Sequence, residues 1–402
     1  MIERGRDWPP RELGVIEGFR PGPLLICVGG VHGNEPGGVD ASERFLAKAR
    51  AEGWRPARGR MVFLVGNRRA LREGCRYVDV DLNRLWSNRS GEGLDPTAHE
   101  LIEQRELRQA IEVHRSAGPW ETVVLLDMHS TSGEGPPFAI LGDTLSNRLL
   151  AEILPIPILL GLEERVDGTL LAEFGRRGER AICVEGGING AEATVDALEA
   201  MLELVANQLG ILPGTPERLE ESHERLKEHA HGAPHWSRLS GLYAIDSDEQ
   251  FTMQPGFQSF DRVQAGQLLA YGGPDGRSPI LAPKDSLLIM PRYQGQGSDG
   301  FYLAGELPSW WRPVSRTLRR AGLRRLVPRL LGEGATLSEE GHLLTQRGPL
   351  SGARRRLLAL LGYHVASTHA EGFDLRCRID PVFDEVAEDS TLPGNSAVGG
   401  AS

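Results

Sequence analysis

Leu24-Leu25-Ile26-Cys27-Val28-Gly29-Gly30-Val31-His32-Gly33-Asn34-Glu35-Pro36 is the stretch on which the fold turns. Leu24 to Val28 is apolar throughout, without polar alternation, as in strands buried on both faces of a parallel sheet. The glycines that follow let the backbone turn sharply. His32 and Glu35 stand three residues apart, so a tight turn or the first turn of a helix can aim both side chains at one point. One imidazole and one carboxylate are two of the three protein ligands that a catalytic zinc ion takes, its fourth position being left for water. Alone, the pair is more commonly the pattern of a solvated helix face, so the decision falls to the rest of the chain.

At 402 residues, with 40% hydrophobic and 25% charged residues, the chain can bury a large core and is long enough for two domains. A formal charge of -10 argues against a general nucleic-acid binder. Cys27, Cys75, Cys183 and Cys377 are far apart and form no C-x-x-C pair, so neither a structural zinc motif nor a redox motif is expected. The N-terminus lacks an apolar signal core, and no later run approaches the ~20 apolar residues of a transmembrane helix. The expectation is a cytoplasmic, reduced protein, with a homo-oligomer left open.

Taken in order, a helix over 38–51 and a second buried strand, Met61 to Val65, complete a βαβ unit and predict an α/β fold. The polar stretch Arg72 to Arg84 reads as a loop. Thr97 to Ala117 reads as an amphipathic helix, and Thr122-Val123-Val124-Leu125-Leu126-Asp127-Met128-His129 as a third buried strand running into a histidine. Ligands of open α/β sheets bind at the carboxyl ends of strands. His32, Glu35 and His129 all fall at that edge and are the predicted metal ligands. Ala181-Ile182-Cys183-Val184 then delivers Glu185 into Gly186-Gly187, where a poorly solvated carboxylate suits a general base. A helix over 191–209 closes a catalytic domain of residues 1–213.

Residues 214–240 are charged and carry His223, His229, His231 and His235. They read as a linker helix in preference to a metal tract. From 241 to 306 short strands punctuated by Gly and Pro predict a small β-sandwich or barrel. Residues 307–402 are a helical Arg-rich extension, with Arg316, Arg319, Arg320, Arg324, Arg325 and Arg329 among leucines, then Arg354-Arg355-Arg356. Arginines in water or paired with acids are weighed there against a site for an anionic partner. The Gly/Ser/Ala tail beyond Pro393 is expected to be disordered.

Two histidines and a carboxylate around zinc make hydroxide available near neutral pH. Attack on an amide carbonyl then needs a cation for the oxyanion, a role suited to Arg76, and a base that also serves the departing amine, a role suited to Glu185. Asn83 and Arg84 offer an amide and a planar fork for a substrate carboxylate. Asp79 and Asp81 are expected to orient neighbours or cap helices.

The blocks Gly30-Val31-His32-Gly33-Asn34-Glu35-Pro36, Arg76-Tyr77-x-Asp79-x-Asp81-Leu82-Asn83-Arg84, Asp127-Met128-His129-Ser130-Thr131 and Val184-Glu185-Gly186-Gly187 together resemble the succinylglutamate desuccinylase/aspartoacylase family. That family lies within the zinc carboxypeptidase-like superfamily. The resemblance implies a mixed β-sheet flanked by helices, followed by a small β-rich domain that helps wall the site. It implies one zinc per subunit on His32, Glu35 and His129, Glu185 as base and acid, Arg76 on the scissile carbonyl, and Asn83 and Arg84 on the amino acid's carboxylate. A further arginine shortly before the glutamate would read an acidic substrate side chain, with Arg176, Arg177 and Arg180 competing for the role, and Tyr302 would supply an aromatic hydroxyl. The activity so implied is a zinc-dependent amidohydrolase, a deacylase of N-acetyl- or N-succinyl-type N-acyl-amino acids. Weighed beside it are a metallocarboxypeptidase acting on peptides and a non-catalytic metal-binding scaffold that recruits an anionic partner through its Arg-rich tail.

Overall fold

The computed structural model describes residues 9–87, 92–212, 214–230, 232–323, 327, 335–337, 343–347, 351–369, 372–378 and 380. Pro213, His231, Arg324, Arg325, Arg329 and the tail beyond Pro393 lie outside the described residues. The chain divides into two compact units, one of residues 1–143 and 147–309, the other of 144–146 and 310–402.

The first unit opens with β1 (Glu12–Glu17), β2 (Leu24–Gly29), α1 (Gly37–Ala51), β3 (Arg60–Val65) and α2 (Arg68–Glu73). A 3-10 turn over Leu82–Arg84, α3 (His99–Ser116), β4 (Val123–Thr131), β5 (Phe138–Leu141), α4 (Leu145–Ala151, of which 147–151 fall in this unit) and β6 (Ile158–Leu160) follow. Then come α5 (Leu170–Arg176), β7 (Arg180–Ile188), α6 (Glu192–Gln208) and α7 (Pro216–His229). Strands β3, β2, β4 and β7 are adjacent and parallel. Every residue of β2 is buried, as its uninterrupted apolar run predicts for a strand covered on both faces. Leu24, Ile26 and Val28 share one cluster with Leu107 and Ile111 of α3 and Leu170 and Phe174 of α5. Helix α1 packs against β2, and α6 packs against α1 and β7.

Gly38 sets how closely the first turn of α1 approaches the sheet, and Gly33 how closely the turn before it approaches α2. A Cβ on Gly38 would lie 2.8 Å from the Met128 Cβ, and one on Gly33 would lie 2.0 Å from the Ala70 carbonyl carbon. The second contact is against backbone that cannot rotate away. Gly33→Ala is therefore expected to cost about 1–3 kcal/mol or more through overpacking, read as a lowered midpoint in chemical denaturation; an unchanged midpoint would contradict it.

Residues 241–306 do not make the separate sandwich or barrel expected of them. β8 (Trp236–Ala244), β10 (Arg262–Val263), β13 (Ser286–Ile289) and β14 (Asp299–Glu306) continue the main sheet. Its eleven described strands run β1-β3-β2-β4-β7-β5-β6-β8-β14-β13-β10. Only β9 (Thr252–Met253), β11 (Leu268–Gly272) and β12 (Ser278–Leu281) form a three-stranded sheet of their own. The reason lies in the two-residue period of β13 and β14. Leu287, Ile289, Tyr302 and Ala304 belong to the main core, while Leu288, Phe301 and Leu303 belong to the core beneath the small sheet. With both faces buried, these strands cannot detach from either layer.

The charged linker is a docked helix. Thr215 caps α7 with its hydroxyl and Pro216 starts it, a standard pairing of cap and first residue. Leu226 is fully buried, and Ser222 Oγ donates to Glu203 Oε2 of α6 at 2.9 Å. Among the described residues, His223, His229 and His235 join no cluster of metal-ligating side chains.

In the second unit, α8 (Trp311–Arg320) and α9 (Gly352–Leu360) are the expected helices. They are accompanied by a four-stranded antiparallel sheet of β15 (Ala335–Leu337), β16 (Leu343–Arg347), β17 (Tyr363–His369) and β18 (Gly372–Cys377), in the order β15-β16-β18-β17. The extension is thus α+β where helices alone were expected; its strands are short and polar and carry no long apolar run to announce them. Arg319 is not spent on solvent, since its Nε donates to the Leu360 carbonyl at 3.0 Å at the C-terminus of α9, where a cation is favoured by the helix dipole. Arg354, Arg355 and Arg356 are exposed.

Candidate active site

Three neighbouring parallel strands deliver their chemistry to one point. The chain leaving β2 turns through His32 and Glu35, closed by the Glu35 amide on the His32 carbonyl at 3.1 Å. β4 carries His129, and β7 carries Glu185 directly across the ladder from it. All four side chains are buried. His32 Nδ1 lies 2.9 Å from Glu35 Oε1, and His129 Nδ1 lies 2.8 Å from Glu35 Oε2. Possible ligand atoms of His32, Glu35 and His129 all fall within 4.8 Å of one another.

The far ring nitrogens face carboxylates as well. His32 Nε2 is 3.1 Å from Asp81 Oδ1, and His129 Nε2 is 3.2 Å from Asp127 Oδ2. Each imidazole therefore sits between two carboxylates, an arrangement that fixes ring orientation and makes the ligating nitrogen more basic. Asp81 also accepts from the Asn83 amide at 2.8 Å and meets Arg76 Nη2 at 3.3 Å. Asp79 caps α3 through the His99 amide at 2.7 Å.

The electrostatics follow from burial and neighbours. Burial opposes ionisation of Glu35, but His32 and His129 outweigh it and hold the carboxyl well below its ordinary range. Burial likewise opposes a charged His129, yet Asp127 and Glu35 raise its proton affinity well above that of an ordinary imidazole. Glu185 is different: burial, joined by the nearby Glu35 charge, pushes its carboxyl up to about 8 against the pull of His129 and Arg76. Its Oε2 has no hydrogen-bond partner among the described residues. A buried carboxylate in that state is what proton transfer near neutral pH requires. Negative charge exceeds positive around the two imidazoles, with Glu35, Asp81 and Asp127 set against Arg76. A divalent cation suits that surplus, and the donor set of two nitrogens and a carboxylate suits zinc.

His32, Glu35, Arg76, His129 and Glu185 line a cleft of about 740 Å³, part of it open to solvent, together with Asn83, Arg84, Asp299 and Tyr302. Arg76 Nη1 lies 3.0 Å from Glu35 Oε1. Arg84 Nη2 donates to Asp299 Oδ2 at 2.6 Å, and the Tyr302 hydroxyl donates to the same oxygen at 2.5 Å. Asn83 also holds the start of α5, its Oδ1 accepting from the Leu170 amide at 2.9 Å. Tyr302 reaches the cleft and Phe301 does not, because adjacent residues of β14 point to opposite faces; Phe301 stacks on Tyr243 at 5.3 Å instead.

Arg176 and Arg177 do not line the cleft. At the end of α5, Arg176 Nη2 pairs with Glu173 Oε2 at 2.6 Å and donates to the Trp86 carbonyl, while Arg177 Nη1 lies 2.9 Å from Glu112 Oε1. Their position before Glu185 in the chain placed them close in sequence, but α5 turns that part of the chain towards acids on its outer side. Three groups escaped the sequence reading. Asp127 was signalled by its place two residues before His129 on one strand, hence on the same face. Asp299 and the loop before it carried no signal, because they come to the cleft only through the pairing of β14 with β8. In that loop, Gln294 Oε1 accepts from Asn34 Nδ2 at 2.8 Å, and Gln296 Oε1 accepts from the Arg76 amide at 2.9 Å. Gln296 Nε2 also donates to the Tyr77 carbonyl at 3.0 Å.

A model of the succinylglutamate desuccinylase/aspartoacylase catalytic domain matches residues 21–211, the segment that carries all four of these side chains. Residues 21–211 are thus similar to that family's catalytic domain. It is 40% identical over 85 residues to a succinylglutamate desuccinylase of Pseudomonas aeruginosa, which is 21% of this chain and 25% of that protein. Against the Pseudomonas fluorescens enzyme of the same name it is 35% identical over 89 residues, 22% of this chain and 26% of that one. The match thus spans about a quarter of the length of these curated relatives. The fold extends further. A succinylglutamate desuccinylase/aspartoacylase structure from Rhodobacter sphaeroides superposes with a TM-score of 0.52 at 17% identity, over 73% of this chain and 88% of that one. The product-bound ectoine utilization protein EutE (DoeB) of Ruegeria pomeroyi gives 0.51 at 19% identity, over 72% and 86%. Among the described residues, no helix is long and apolar enough to cross a membrane.

Proposed function

We propose that this protein is a zinc-dependent amidohydrolase that deacylates N-acyl-amino acids. The observation that carries the proposal is the meeting of His32, Glu35 and His129 within 4.8 Å beside a buried Glu185 with an unpartnered oxygen. One Zn2+ per chain would be held by the two imidazoles and the Glu35 carboxylate, with Asp81 and Asp127 behind the rings. When bound, such an ion polarises a carbonyl and lowers the pKa of water towards ~7.

The chain's own groups account for the remainder. Glu185 takes a proton from the attacking water and passes it to the departing nitrogen, so that the C–N bond breaks, a C–O bond forms, and an acid and an amine leave. Arg76 faces the oxygen that gains charge, as oxyanion stabilisation requires. Asn83 and Arg84 bind the amino acid's carboxylate, with Arg84 exchanging Asp299 for substrate, and Tyr302 supports them through the same aspartate. The β13–β14 loop, tied down by Gln294 and Gln296, roofs the cleft. That roof favours a small acyl-amino acid over the extended peptide of a carboxypeptidase.

The test is metal analysis of the purified protein together with an amine-release screen over N-acyl-amino acids and a peptide panel. Zinc near one per chain with release from acyl-amino acids supports the proposal; release from peptides alone would overturn it. Asp127→Asn is expected to weaken zinc binding about 10–100-fold, measured by chelator competition, and unaltered affinity would remove Asp127 from its role.

A further inference from the structure

The cleft has two chemically distinct halves. One is charged and is lined by Arg76, Arg84, Asp299 and Arg292. The other half lies one rung below Glu185 on the sheet, where Cys183 pairs with Ile140 just as Glu185 pairs with Phe138. Alternation puts Cys183 and Glu185 on one face, so the surface continues from the carboxylate onto a thiol and a branched alkyl chain. Leu162 and Val166 close it, brought to one side by the single turn in which the Val166 amide donates to the Leu162 carbonyl at 3.0 Å. Ile140, Val166 and Cys183 are buried. Thr169, which also lines the cleft, uses its hydroxyl to accept from the Ala172 amide at 3.1 Å.

The cations of the cleft are committed elsewhere. Arg76 meets Glu35 and Asp81, and Arg84 meets Asp299. Arg292 turns all three guanidinium nitrogens to its own loop, donating to the carbonyls of Gln294, Gly297 and Gly295. Arg176 and Arg177 are outside. If Arg84 serves the α-carboxylate and Arg76 the scissile carbonyl, a second carboxylate on the substrate finds no counter-charge against the apolar wall. Leaving a carboxylate there unpaired is costly.

We infer that the apolar half of the cleft receives an uncharged hydrocarbon group, so that the preferred substrates are apolar N-acyl-amino acids and not dianionic ones. This rests on the deacylase reading for the place of the scissile bond. The hydrocarbon can come from the amino acid's side chain or from the acyl group, and the two sources present the same chemistry to Ile140, Leu162, Val166 and Cys183.

The test compares kcat/KM of the full-length, zinc-loaded protein on N-acetyl-leucine, N-hexanoyl-glycine, N-acetyl-glycine, N-acetyl-aspartate and N-succinyl-glutamate. At least one of the first two is expected to exceed both acidic substrates by tenfold or more, the scale on which an apolar pocket discriminates. N-acetyl-leucine in front assigns the pocket to the side chain, N-hexanoyl-glycine to the acyl group. Val166→Arg is expected to shift the ratio towards N-acetyl-aspartate, and the milder Leu162→Ala to shrink it should that variant not fold. Either acidic substrate leading in the unaltered protein would overturn the inference. Calorimetry of the Glu185→Gln protein with N-acetyl-leucine and N-acetyl-aspartate separates this from the deacylase reading. Tighter N-acetyl-leucine binding without turnover of any substrate by the unaltered protein sinks the reaction and keeps the apolar pocket. Equal or tighter N-acetyl-aspartate binding sinks the pocket whatever the turnover.

Discussion

Glu185→Gln is expected to lower kcat by about 10²–10⁴-fold, the range that a positioned acid/base contributes, while zinc content stays at the level of the unaltered protein. The amide of glutamine matches the carboxylate in size, so the packing around Cys183, Phe138 and His129 is undisturbed, and only the capacity to accept a proton is lost. The position is buried and one oxygen is without a partner, so removing the charge is not expected to cost stability; an unchanged or slightly raised melting temperature would accompany the lost turnover. A variant that keeps full activity would show that Glu185 is not the proton carrier and would require a different base. A variant that loses its metal as well would place Glu185 among the ligands.

His129→Ala is expected to lose both zinc and turnover. The ring stands 2.8 Å from Glu35 Oε2 on one side and 3.2 Å from Asp127 Oδ2 on the other. Its deletion leaves two buried carboxylates facing a gap, and breaking a buried charge pair by removing one partner is among the costlier single changes, about 3–5 kcal/mol. Metal content, turnover and the denaturation midpoint should therefore fall together, with turnover below detection. Retention of a full zinc equivalent with His129 absent would show that the ion sits elsewhere. Comparing the two variants separates metal binding from proton transfer, because only the second is touched in Glu185→Gln.

What could be read from the chain beforehand depended on how local the cause was. β2, β3, β4 and β7 were legible because strands buried on both faces leave long apolar runs, and the carboxyl-end rule then gathered His32, Glu35, His129 and Glu185 without any knowledge of distances. β5 was missed because Phe138–Leu141 is only four residues long and pairs antiparallel to β7, a relation that no local pattern encodes. The boundaries of the β-rich part were misjudged for a related reason. Gly and Pro punctuation reports where strands end, but not which sheet they join. The contact of Asp299 with Arg84 spans 215 positions of chain, and the loss of Arg176 and Arg177 from the cleft follows from the direction in which α5 leaves it. Both are products of tertiary geometry.

The continuity of the large sheet across residue 211 has a consequence for anyone who would express the matched domain by itself. Cutting the gene there would strip β6 of its parallel neighbour β8 and uncover the apolar residues that Ile289, Tyr302 and Ala304 shield. A bare edge of that kind recruits strands from other molecules, so the shortened polypeptide is expected to precipitate or form inclusion bodies, and the smallest soluble fragment should extend through the end of β14.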